Sequence, residues 1–272
     1  MILSFASSAS AGSPPIALAV MALVAYLVAA GLVGTSERVP TIALSVGWLL
    51  HGLWLVLDIA GLHRPEAGVR LGFGPVLALA AWLILAVHTV ESRFVPLPAV
   101  RRVLALLGAV TLLLAWAFPG ELRQMASRWA PLHWALGVAS YGLFGAAVLH
   151  ATMLDSAERQ MRHRGPAIRG PLGMPLLRLE RLTFRFVDIG FAVLTLTLLL
   201  GVATSTHWRL DHKSVFSLLG WGVFAALLAG RHWKGWRGQR ATRWLYAGVT
   251  LLLLAYVGSR FVFEVLLGRG GA

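Results

Sequence analysis

Cysteine is absent from the 272 residues. That excludes a disulfide framework, a CxxC redox pair and any covalent attachment of a cofactor through a CxxCH segment. Charge is scarce as well. Only 13% of residues are charged, about half the share usual in soluble domains. With 58% of residues hydrophobic and a mean hydropathy of +0.74, polar side chains are too few to cover a globular surface. An ordinary soluble enzyme is thereby excluded, and so is a disordered chain, which would be poor in apolar residues. No P-loop, HExxH, GxSxG or buried carboxylate pair beside a nucleophile occurs, so a hydrolase or ATPase has no support and the chain is expected not to be an enzyme. Residues 1–13 hold no Lys or Arg. The basic region of a secretory signal is missing, and the first apolar segment is expected to remain as a span.

What is present is apolar sequence in lengths that fit a bilayer. A spanning helix needs about 20 residues, because about 1.5 Å per residue must cross about 30 Å of hydrocarbon. Candidates lie at about 14–33, 40–61, 71–90, 99–118, 132–153, 184–204, 214–231 and 243–264. The expected fold is an all-α polytopic transmembrane bundle of eight spans, read as one domain over 1–272. The formal charge of +13 would suggest nucleic acid in a soluble protein. No basic, aromatic-interleaved domain exists outside the spans, so the expected partner of these charges is membrane lipid and not nucleic acid. Roughly two-thirds of the 24 Lys and Arg fall in the alternate loops of one side, which the positive-inside rule assigns to the cytoplasm. Both termini are then extracytoplasmic. The longest connection, about 154–183, carries Gly165-Pro166, Gly170-Pro171 and Pro175, which punctuate a loop. After it, Leu176, Leu177, Leu179, Leu182 and Phe186 interleave with Arg178, Glu180, Arg181 and Arg185, the pattern of an interfacial amphipathic segment feeding the sixth span.

Ionisable groups inside a bilayer cost at least about 2.5–3.5 kcal/mol when charged. Histidine escapes most of this by staying neutral, and neutral imidazole is a metal ligand. His51 stands mid-span in Trp48-Leu-Leu-His51-Gly52-Leu-Trp54. It reads equally as an axial ligand or proton relay and as a histidine satisfied by a neighbouring helix. His133 opens the fifth span and His212 precedes the seventh, both at the outer face. Two such histidines on different helices can supply opposite axial nitrogens to one haem iron, or can be unrelated interfacial residues. His88 and His150 lie near the inner ends of spans three and five, either as a second pair or as interface histidines meeting loops and head groups. His63, His163, His207 and His232 fall in loops. Asp58 shares a helical face with His51 and reads as a solvated carboxylate nearer the outer surface. Arg260 and Glu264 have the spacing of a local ion pair.

Several blocks carry a family likeness. His133-Trp-Ala-Leu-Gly-Val-Ala-Ser-Tyr141 resembles the His-then-Tyr opening of a helix in the cytochrome c assembly membrane proteins, the haem-handling CcsA/HemX-like family. Leu179 to Phe191, continuing to Thr197, resembles its next block. Gly235-Trp-Arg-Gly-Gln-Arg240 and Leu254-Ala-Tyr-Val-Gly-Ser-Arg260 resemble the last two. The likeness runs in order over about residues 40–265 and is close to the small YpjD-type inner-membrane branch. It implies an inner-membrane protein that binds haem b without a covalent bond and works with cytochrome c assembly partners. By resemblance, His133 matches the first outer-face histidine of the haem exporters. The family's WxWDPK-type segment is reduced here to Trp208-Arg-Leu210-Asp211-His212-Lys213. Leu210 stands for the second Trp and His212 for the Pro, which makes His212 a replacement ligand or else leaves a regulatory or accessory role. The cofactor-binding residues expected are His133 and His212 as axial ligands and His51 within the membrane. The competing readings are a small-solute permease and a haem-free accessory subunit of a membrane enzyme.

Overall fold

The structure is a computed structural model that describes residues 14–31, 38–60, 69–70, 72–92, 98–120, 122–123, 128–164, 176–204, 212–258 and 261–262. Among the described residues eight α-helices run in chain order: α1 Pro14–Gly31, α2 Arg38–Ala60, α3 Phe73–Glu91, α4 Pro98–Ala117, α5 Ala130–Arg164, α6 Leu176–Thr204, α7 His212–Lys234 and α8 Gly238–Leu253. Each overlaps one of the apolar runs, although α5 goes on to Arg164, α6 begins already at Leu176 and α8 begins at Gly238. A π-helical turn, Leu254–Gly258, continues α8. Two two-residue strands, β1 Val69–Arg70 and β2 Leu122–Arg123, pair antiparallel. Seven helices are long and apolar enough to cross a membrane, whereas the apolar stretch of α1, Ile16–Gly31, is shorter. The chain is therefore a helical, multi-pass membrane protein. Its helices expose many large apolar side chains, such as Ile42, Leu49, Leu106 and Leu199. Lipid rather than water is the medium that makes such a surface stable.

The helices group into two compact units, residues 1–78 with 98–124 and residues 79–97 with 125–272. Helix α3 contributes its first six described residues to one and the rest to the other. In the first unit α1 packs on α2 and α4. The β1–β2 ladder and a hydrogen bond from Gly74 N–H to Phe118 O (3.3 Å) tie the start of α3 to the end of α4. In the second unit α5 packs along α6 and against α8, and α7 along α8. Its core centres on Phe144, Phe184, Val187, Phe224, Leu227 and Leu245. Phe144 and Phe224 stack face to face with centroids 4.0 Å apart.

Polar groups at the end of α5 fasten this unit further. Asp155 accepts hydrogen bonds from Thr242 Oγ1 (2.9 Å) and Tyr246 Oη (2.8 Å) of α8. Arg231 of α7 donates to Glu180 of α6 (3.3 Å). The amphipathic segment after Pro175 is not separate from the sixth span. It forms the first turns of α6, with Leu179, Thr183, Phe184 and Val187 buried and Arg178, Arg181 and Arg185 exposed. A single helix results because no Gly or Pro interrupts residues 176–189. The loop prolines before it, and the Arg260 and Glu264 spacing, lie outside the described residues.

Candidate functional site

His51 occupies the middle of α2, about 20 Å along the axis from Arg38 at about 1.5 Å per residue. It is fully buried. Its Nδ1 lies 3.0 Å from the hydroxyl of Tyr26 on α1. The two rings meet edge to face, with centroids 5.8 Å apart and planes at 84°. Trp54, one turn on, is tilted against the imidazole at 6.4 Å. The other ring nitrogen, Nε2, is buried and has no hydrogen-bond partner among the described residues. A buried polar atom left without a partner costs about 1–3 kcal/mol. The imidazole is therefore half satisfied, with one nitrogen engaged and the other not.

His133, in the first turn of α5, is half-buried against α6. Its Nδ1 lies 3.1 Å from the backbone carbonyl of Thr197. A carbonyl only accepts, so in the neutral ring Nδ1 carries the proton and Nε2 keeps its lone pair. The ring fits there because residue 201 is glycine. A Cβ at Gly201 would stand 3.0 Å from His133 Cε1. His212 is the first residue of α7 and is exposed. The hydrogen-bond partner of His133 among the described residues is the Thr197 carbonyl of α6. His133 and His212 belong to the second unit and His51 to the first.

The remaining candidates sort differently from the sequence expectation. His88 and His150 are buried, at 2% and 1% exposure, and are not interface histidines. His150 Nε2 sits 3.0 Å from Glu91 of α3, and its Nδ1 donates to Ala146 O at 2.7 Å. Phe186 of α6 covers that ring at 5.3 Å. Asp58 is buried at 7% exposure and is not a solvated surface carboxylate. Its place seven residues from His51 puts it on the inward face of α2, the side that packs on α1 and α4. His163 and His232 fall not in loops but in the last turns of α5 and α7, and His232 is exposed; His63, His207 and Trp208 to Asp211 lie outside the described residues. Sequence reasoning missed Tyr26, Thr197 and Glu91. Tyr26 had a signal, since it is the one polar side chain in the run Ile16–Gly31, and a buried hydroxyl seeks a partner.

Among the described residues no three His, Asp or Glu come together in a way that could hold a metal ion. A porphyrin changes that requirement, because it supplies four equatorial nitrogens and asks the protein for one or two axial ones. His51 with its orphaned Nε2, and His133 with a carbonyl fixing its Nδ1–H, fit that demand.

The cytochrome c assembly protein family matches residues 72–267, a stretch that draws on both units. The inner membrane protein YpjD of Escherichia coli K12 is 30% identical over 265 residues, covering 91% of this chain and 98% of that protein. The cytochrome c biogenesis protein CcsA of Synechococcus sp. CC9311 is 26% identical over 221 residues, 67% of this chain and 72% of CcsA. CcsA of Synechococcus sp. JA-3-3Ab is 33% identical over 116 residues, 39% of this chain and 32% of that protein. No solved structure matches the chain. With its apolar helices and an inner-membrane relative matched along almost its whole length, the chain is a multi-pass protein of the cytoplasmic (inner) membrane, and it belongs to the cytochrome c assembly protein family.

Proposed function

We propose that this protein binds haem b non-covalently and holds or hands it on during cytochrome c assembly, in concert with partner assembly proteins. His133 and His212 serve as axial ligands at the extracytoplasmic rim, and His51 as a ligand or relay within the membrane. All eight helices span, with both termini extracytoplasmic, and residues 1–272 work as one assembly-type domain. The observation that carries the proposal is the state of His51, a fully buried imidazole with an unpartnered Nε2 in the middle of a hydrophobic helix. An imidazole kept only for packing leaves that nitrogen unexplained, whereas an axial ligand needs it. His133 adds a second imidazole whose tautomer leaves Nε2 free. Alternating spans put the starts of α5 and α7 on one side of the bilayer, so His133 and His212 share a face. Haem, when bound, supplies a redox-active iron. The protein supplies the nitrogens, their orientation and a dry surround.

The test is an absorption spectrum of the detergent-purified protein, with and without added haemin and with and without dithionite. A Soret band is expected, lost or shifted in His133→Ala and in His212→Ala. A protein that stays colourless when haemin is supplied overturns the proposal.

A further inference from the structure

Tyr26 and His51 form a buried pair between α1 and α2, and each is 0% exposed. We infer that Tyr26 is the positioning residue of His51: its hydroxyl, 3.0 Å from Nδ1, fixes the imidazole so that Nε2 is presented as a ligand. The inference rests on His51 being a ligand in the sense proposed above.

Three features of the pair carry it. The first is the direction of the hydrogen bond. A ligating Nε2 needs its lone pair, so Nδ1 carries the proton and donates it to Tyr26 Oη. Donation from the distal nitrogen orients a ligating imidazole and makes the proximal nitrogen a stronger base. The second is that the contact is shaped for it. The rings meet at 84°, so the tyrosine approaches edge to face instead of stacking on the imidazole. Gly47, one turn before His51, opens the notch that admits the tyrosine ring. A Cβ at Gly47 would stand 3.0 Å from Tyr26 Cδ1 and 3.1 Å from Cε1. The third is the asymmetry of the imidazole. A pair that served only to clamp two helices would need one polar contact and no second nitrogen, yet Nε2 is buried without a partner among the described residues.

The test is a haemin titration and a redox titration of the full-length purified protein, comparing wild type, Tyr26→Phe, Gly47→Ala and His51→Ala. The signal followed is the spectral component that His51→Ala removes. Tyr26→Phe keeps the ring and deletes the hydroxyl. Gly47→Ala keeps the hydroxyl and displaces the ring, so it reports independently if Tyr26→Phe folds poorly. Both are expected to weaken that component's affinity by about 10–100-fold, the usual cost of losing a hydrogen bond to a ligating histidine, and to raise its midpoint potential. If Tyr26→Phe and Gly47→Ala titrate and reduce like wild type while His51→Ala loses the component, Tyr26 merely packs and the inference falls alone. If His51→Ala matches wild type, or wild type takes up no haemin, the reading of His51 fails and the inference falls with it.

Discussion

The single residue that reveals most is an imidazole with one nitrogen satisfied and one not. His51 was legible as a candidate because a histidine in the middle of an apolar run is expensive to charge and useful when neutral. Which groups surround it depended on residues elsewhere in the chain. Tyr26 is 25 positions away in sequence, and no helical or strand period connects the two. His133 shows the same division. Its position at the start of a span was visible, but the carbonyl that fixes its tautomer belongs to Thr197, 64 residues on. A prediction follows at this scale. Gly201→Val places bulk where even a Cβ alone would stand 3.0 Å from the imidazole. The ring is expected to leave the Thr197 carbonyl, and the haem spectrum to shift toward that of His133→Ala although no ligand has been removed. A spectrum of Gly201→Val identical to wild type would separate His133 from the chromophore.

At the scale of helices, packing in the second unit rests on aromatic contact and on a few polar fasteners. The Phe144–Phe224 stack joins α5 to α7 in the middle of that core. Truncating either ring to alanine is expected to destabilise the protein by about 3–5 kcal/mol. The double variant should fall short of additivity by about 0.5–1.5 kcal/mol if the stacked pair is coupled, read by chemical unfolding in detergent. Asp155 holds two side chains of α8. Its replacement by alanine is expected to cost about 1–3 kcal/mol, seen as a lower melting temperature, with Asp155→Asn intermediate between the two. The existence of these helices was plain from run length. Their inner ends were not, because polar residues such as Asp155, Glu158 and Arg159 look like loop. The helix continues through them to Arg164 because α8 offers Asp155 its partners.

For the whole molecule, composition leads to a membrane protein, and loop charge predicts that its basic loops face the cytoplasm. The absence of native cysteine makes that topology directly testable. Trp129→Cys, at an exposed position before α5, is expected to react with a membrane-impermeant maleimide in intact cells. Trp233→Cys, near the end of α7 and 80% exposed, is expected to react only after lysis. The opposite pattern would invert the protein and move His133 and His212 to the cytoplasmic side. The grouping of helices into two units was not legible, since the boundary falls inside α3, between Ala78 and Leu79, within an unbroken apolar run.

Local sequence settled what depends on solvent. Bilayer thickness translates into run length, and the cost of buried charge limits where Arg and Lys are tolerated, so the existence of the helices and the membrane setting were readable along the chain. Family membership followed from ordered blocks in the same linear text. Burial of single polar groups was another matter. Asp58, His88 and His150 each looked like surface residues by position, and each is enclosed. A helix in lipid exposes apolar side chains by default, so hydropathy does not say which face turns inward. That choice is made by contacts between distant segments, such as Glu91 with His150 and Tyr26 with His51.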